Sequence, residues 1–78
     1  MKVKIYSTDT CPYCTIAKNW LKKHNIEFKE VNVATDLEAR QEMFNKSGQM
    51  GVPVIDIDGQ IIIGFDQQAL KRLLNIKD

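Results

Sequence analysis

Cys11-Pro12-Tyr13-Cys14 holds both cysteines of the chain, two residues apart. The pair follows an apolar, strand-like run (Val3, Ile5, Tyr6) and opens a helix-like run (Ile16, Ala17, Trp20, Leu21). A thiol at the first turn of a helix faces unpaired backbone N–H groups and the positive end of the macrodipole, both of which favour thiolate over thiol. Such a setting lowers a cysteine pKa from about 8.5 to roughly 3.5–7.5. Thiolate is the nucleophile of disulfide exchange, so Cys11 reads as the attacking sulfur. Cys14, one turn further in and with less of the dipole, reads as the resolving one. Pro12 stiffens the turn and removes a donor from it.

Metal binding is the competing chemistry for the pair. A structural zinc needs four ligands, and beyond the two cysteines the chain has one histidine, distant at position 24. Carboxylates would have to complete an intrachain site. An iron–sulfur cluster held by Cys11 of two chains remains the other metal reading. No tightly bound cofactor is needed for the redox reading.

Elements must hold the two sulfurs in place, and the pattern supplies them. Lys2 to Tyr6 alternates polar and apolar, as a strand with one buried face does. Ser7 to Thr10 reads as a loop, with Thr10 as helix cap and Pro12 at the first helical position, where its missing N–H costs nothing. Ile16, Ala17, Trp20, Leu21 and His24 recur at helical spacing, so a first helix runs to Lys23 and ends at His24-Asn25. Glu27 to Val33 reads as a second strand, parallel to the first because a helix joins them. Asp36 or Thr35 caps a second helix carrying Leu37, Arg40, Met43 and Phe44 and ending at Ser47-Gly48. The runs Val52–Ile57 and Gln60–Ile63 flank Asp58-Gly59, the signal of a hairpin with a type I′ turn. Asp66 caps a last helix bearing Leu70, Leu73 and Leu74. The order is β-α-β-α-β-β-α: an α/β fold with a four-stranded mixed sheet and helices on its faces.

Size and composition narrow the function. Seventy-eight residues, 44% of them hydrophobic, make one globular domain spanning 1–78. A chain of this length buries only about 60–65% of its unfolded surface. The formal net charge of +1 comes from interspersed signs with no basic stripe, which argues against binding to nucleic acid. The opening Met1-Lys2-Val3-Lys4-Ile5 lacks the apolar core of a signal peptide, and no apolar run reaches membrane-spanning length. A cytoplasmic location without membrane attachment is expected, and there a lone cysteine pair is catalytic or metal-binding rather than structural.

Several residues have two readings. Tyr13 is either a plain exposed helix residue or a ring that walls the sulfur and stacks on a bound peptide. Only about 5–6% of X-Pro bonds in folded proteins are cis, so composition favours a trans Val52-Pro53 bond. A cis bond would present the Val52 N–H and C=O to an extended cysteine-containing peptide. Gly64-Phe65-Asp66 is a hairpin exit and helix cap, or an anion site at a helix start where Asp66 accepts from an α-amino group. Trp20 reads as core, and His24 as a helix-end residue rather than a base. The lysines read as solvated faces, with Lys18 a candidate to aid the thiolate electrostatically.

Cys11-Pro12-Tyr13-Cys14 after a first strand, Val52-Pro53 before a hairpin and Gly64-Phe65-Asp66 after it together resemble a dithiol glutaredoxin along essentially the whole chain. The resemblance implies the thioredoxin fold, a cis Pro53, and a thiol–disulfide oxidoreductase acting on protein disulfides and glutathione mixed disulfides. It implies glutathione as cosubstrate, bound along Tyr13, Val52, Pro53, Gly64 and Asp66, with Cys11 as nucleophile and Cys14 resolving. A monomer would suffice for this. Three positions depart from the common family pattern. Thr8 stands where many members have lysine, Gly51 where threonine is usual, and Gln67 where a second acidic residue often follows. Arg40 or Gln41 could hold a carboxylate instead. Gly64-Phe65 also resembles the glutaredoxin-like hydrogen donors of ribonucleotide reductase, which thioredoxin reductase reduces.

Overall fold

The computed structural model describes residues 1–76; the last two residues of the expected 1–78 domain, Lys77 and Asp78, lie outside that range. Seven elements follow in order: β1 (Val3–Ser7), α1 (Pro12–Lys23), β2 (Lys29–Asn32), α2 (Leu37–Ser47), β3 (Val54–Ile57), β4 (Gln60–Ile63) and α3 (Gln67–Leu74). The sheet order is β2-β1-β3-β4. β1 and β2 are parallel, with Lys4 opposite Lys29 and Ser7 opposite Asn32. The β1–β3 and β3–β4 pairs are antiparallel, placing Ile5 opposite Ile55 and Ile55 opposite Ile62.

Both faces of the central strands are covered, which corrects the expectation of a single buried face on β1. One face packs Val3, Ile5, Ile55, Ile57 and Ile62 against Ala17 and Leu21 of α1 and Leu70 and Leu74 of α3. On the other, Tyr6 and Val54 meet Ala39 and Met43 of α2, beside Val33. Trp20 is part of the first layer, partly buried, with His24 at 4.3 Å and Phe65 at 6.0 Å between ring centroids. Within α2, Met43 and the unremarked Ala39 face the sheet, while Leu37 (69% exposed) and Phe44 (44% exposed) point to solvent. The helical period fits both stripes, so the pattern alone gives no choice between them.

Element ends follow local chemistry. Asn25 adopts a left-handed conformation (φ 57°) and its N–H donates to the Lys22 carbonyl at 3.0 Å, while Ile26 N–H reaches Leu21 at 2.9 Å. This closes α1 as a Schellman-type end with Ile26 packed on the core. Asp36 rather than Thr35 caps α2, its Oδ1 accepting from Ala39 N–H at 3.0 Å. Asp58 (φ 50°) and Gly59 (φ 91°) form the left-handed pair of a type I′ turn. Ser7, expected in a loop, is the last residue of β1. β2 and β3 are shorter than the apolar runs suggest: the β2 ladder begins at Lys29, and β3 begins after Pro53, which has no N–H to give a ladder.

A polar set ties α2 to the sheet. Buried Tyr6 donates its hydroxyl to Glu42 Oε1, and Lys46 Nζ donates to that hydroxyl at 3.0 Å and to Asp56 Oδ2 at 2.6 Å. Lys4 Nζ also donates to Glu42 Oε1, at 2.7 Å. The hydrogen bond from Lys4, then that from Tyr6, hold the Glu42 carboxyl at about 2, against an ordinary 4.5. A carboxyl lowered in the folded state stabilises the fold above its unfolded pKa and loses that contribution as pH falls through its folded value. Glu42 is 41% exposed, so solvent trims the effect. Glu42→Gln is therefore less stable than the wild type at pH 6, and the gap narrows as pH falls from about 4.5 towards 2. Urea unfolding across that range checks this; a gap independent of pH would contradict it.

Candidate active site

The N-cap of α1 is Cys11 itself, not Thr10. Its backbone is extended (φ −100°, ψ 107°), Pro12 takes the first helical position, and Cys11 Sγ accepts from the Cys14 N–H at 3.1 Å. The sulfur occupies the place where a serine or aspartate oxygen caps other helices. An N-cap acceptor meets the helix's free donors and the positive end of its dipole, which favours a negative charge on it. Cys14 lies one turn on and is joined to Cys11 as a disulfide, with their Cα atoms 5.2 Å apart. The two sulfurs differ in access: Cys14 is 0% exposed, whereas Cys11 is partly open to solvent.

Two loops bring the other motif residues to the pair. Cys11 Sγ sits 3.8 Å from the Val52 carbonyl oxygen, and the Val52-Pro53 bond is cis, as the resemblance implies and against the composition-based reading. The Pro53 carbonyl accepts from the Gly64 N–H at 2.8 Å. Gly64 has φ 80°, a conformation that glycine adopts without steric cost. Cys11, Val52, Pro53 and Gly64 are thus linked in one connected strip. Asp66 caps α3, its Oδ1 accepting from Ala69 N–H at 3.1 Å, which leaves Oδ2 for another donor. Tyr13 stands 63% exposed on the first turn of α1.

The structure relocates other candidates. Lys18 Nζ reaches Glu30 Oε2 at 2.7 Å rather than a sulfur, and buried Ser7 donates to the same oxygen at 2.9 Å. The Lys18 hydrogen bond chiefly accounts for the lowered pKa of the Glu30 carboxyl. Arg40 joins Thr8, Val33, Ala34, Met43, Met50 and Val52 around a cleft of about 200 Å³ beside the motif strip. It is the one cation of that lining. Gln41 turns instead to Asn45, donating to its Oδ1 at 2.9 Å. Met50 enters this lining from a loop, where no local sequence pattern marks a methionine as a cleft wall. Among the described residues, no three histidine, cysteine, aspartate or glutamate side chains gather as metal ligands. No helix among them is long and apolar enough to cross a membrane.

An accessible sulfur at a helix start with a buried partner one turn on can exchange disulfides. The glutaredoxin family profile matches residues 3–62. An uncharacterized glutaredoxin-like 8.6 kDa protein in the rubredoxin operon of Clostridium pasteurianum is 53% identical over 92% of this chain and 96% of its own length. Glutaredoxin 3 of Escherichia coli is 42% identical over 82% of this chain and 77% of its own. The glutaredoxin-like protein NrdH of Lactococcus lactis is 34% identical over 91% and 97%. Among solved structures, the thioredoxin-like protein BC3987, in a mutant form, superposes with a TM-score of 0.92 at 34% identity, covering 97% of both chains. The layered sheet is the thioredoxin-like fold, and the chain belongs to the glutaredoxin family of thiol–disulfide oxidoreductases.

Proposed function

We propose that this protein reduces protein disulfides and glutathione mixed disulfides, with Cys11 as nucleophile, Cys14 as resolving thiol and glutathione as electron donor. The observation that carries the reading is the inequality of the two sulfurs. Cys11 is partly open to solvent, caps α1 and lies 3.8 Å from the Val52 carbonyl, while Cys14 is sealed from solvent. Cys11 thiolate attacks one sulfur of the substrate disulfide, and the other sulfur leaves as a thiolate that takes up a proton. On a protein disulfide, Cys14 then attacks the Cys11 sulfur, freeing the second substrate thiol and leaving the Cys11–Cys14 disulfide. Two glutathione molecules restore the dithiol and leave as oxidised glutathione. On a glutathionylated substrate Cys11 takes the glutathione, and a second glutathione releases it without Cys14.

The groove for that tripeptide runs along the strip already described. The N–H and C=O of Val52 pair with the main chain of the substrate cysteine, Pro53 and Gly64 shape the floor, and Tyr13 forms the wall beside Cys11. The free oxygen of Asp66 accepts from the α-amino group. Arg40 supplies a cation for a carboxylate where Thr8 replaces the commoner lysine.

A second reading has a specific observation behind it. With Thr8 in the cleft lining and Gly51 before Val52, two contacts expected to hold glutathione are weakened or supplied differently, and a protein named NrdH stands among the relatives. In that reading thioredoxin reductase is the donor, for a target such as ribonucleotide reductase. A coupled assay on one glutathionylated peptide separates the two. The proposal expects NADPH consumption with glutathione and glutathione reductase and little with thioredoxin reductase alone. The reverse result would replace the donor.

A further inference from the structure

The loop joining α2 to β3 contains a side chain folded onto its own backbone. Gln49 Oε1 accepts from the Gly51 N–H at 2.6 Å, and Gln49 Nε2 donates to the Gly51 carbonyl at 3.0 Å. One carboxamide thus satisfies both polar groups of one residue. Gln49 is itself anchored to the last turn of α2. Ser47 Oγ lies 2.7 Å from the Met43 carbonyl and 3.0 Å from the Gln49 carbonyl, and accepts from Gln49 N–H at 3.4 Å and Nε2 at 3.3 Å.

A side chain at position 51 would displace this clamp. A Cβ there would stand 2.7 Å from Gln49 Oε1, while Gln49 Cδ, at 3.8 Å, is the only other atom within 4 Å. A side chain at 51 therefore conflicts with the clamp and with nothing else nearby. The next residue is Val52, whose carbonyl lies 3.8 Å from Cys11 Sγ. Without the clamp a glycine, the most conformationally free of residues, would sit directly before the main-chain group that faces the sulfur.

We propose that Gln49 is a positioning residue of the thiol site. By clamping Gly51 it fixes the Val52 main chain opposite Cys11. It also occupies the Gly51 N–H and C=O, so that an incoming chain pairs at Val52 alone. The inference rests on the reading that the substrate cysteine pairs with Val52. Breaking the clamp transfers the cost of ordering this backbone to the binding step, which raises KM and leaves the sulfur chemistry alone.

Steady-state kinetics with a glutathionylated peptide, using whichever reductant supports turnover, test it in the wild type, Gln49→Ala, Gly51→Ala and the double variant. Gln49→Ala and Gly51→Ala each raise KM about five- to tenfold, the scale set by ordering one residue's backbone, with kcat within about twofold. The double variant is no worse than Gln49→Ala, since both changes break one clamp. The wild type also binds poorly to the same substrate N-methylated at the cysteine amide of its glutathione moiety. Wild-type indifference to N-methylation would overturn the Val52 pairing itself. Sensitivity to N-methylation with wild-type KM in both single variants would overturn the role of Gln49, as would additive effects in the double variant. A fall in kcat that tracks a fall in melting temperature would make the clamp merely structural and also overturn it.

Discussion

Cys11→Ser abolishes turnover on every disulfide substrate, protein or glutathionylated. A serine hydroxyl at this helix start is neither ionised near neutral pH nor able to form the mixed disulfide on which each later step depends. Cys14 cannot substitute, because it is 0% exposed and sits one turn inside the helix. The change is small in volume, and an oxygen at this N-cap can still accept from the Cys14 N–H, as serine does at other helix starts. The variant should therefore fold, with an unchanged far-ultraviolet circular dichroism spectrum and no NADPH consumption in the coupled assay. Appreciable turnover in a folded Cys11→Ser protein would end the assignment of this sulfur.

Cys14→Ser divides the substrates. Reduction of a protein disulfide stalls at the Cys11 mixed disulfide, because the thiol that would attack the Cys11 sulfur is gone. Deglutathionylation continues, since glutathione from solution resolves Cys11 without Cys14. Parallel assays on a glutathionylated peptide and on a two-cysteine protein disulfide should show near-normal rates on the first and a severe loss on the second. Mass spectrometry should find the stalled complex bonded through Cys11. Equal loss on both substrates would mean that the one-thiol route does not operate, and equal retention would mean that Cys14 does not resolve.

The parts of this molecule governed by neighbouring residues were legible in the sequence. The Cys11–Cys14 spacing, the end of α1 at His24-Asn25, the Asp66 cap and the Asp58-Gly59 turn each depend on a few adjacent side chains, and the structure has them as read; of the two caps open for α2 it uses Asp36. For α1 the sequence points to Thr10, because cap preferences rank threonine highly and do not rank cysteine. In this chain the nucleophile's own sulfur fills the role.

What depends on distant partners was hidden. By its pattern alone Tyr6 is the last apolar residue of a one-sided strand. It faces α2 because β1 is central, with β2 on one side and β3 on the other, and both its faces are covered. The Lys4–Glu42–Tyr6–Lys46–Asp56 set joins residues from three elements, and no local pattern pairs them. Lys18 is four residues past Cys14 in sequence, yet Glu30 of β2 claims its ammonium. The cis Val52-Pro53 bond was expected only through resemblance, since any residue pair of this kind is usually trans. Gly51 read as a departure from a family pattern, and only the fold of Gln49 gives it a physical reason.

Cys11 should react as a thiolate near neutral pH, because its sulfur occupies the start of α1. The rate at which the reduced protein reacts with iodoacetamide, followed against pH in the Cys14→Ser variant so that one thiol reports, measures this directly. The rate should already reach half its plateau below pH about 7.5, within the range of helix-start thiols. A midpoint near the ordinary thiol value of about 8.5 would contradict it.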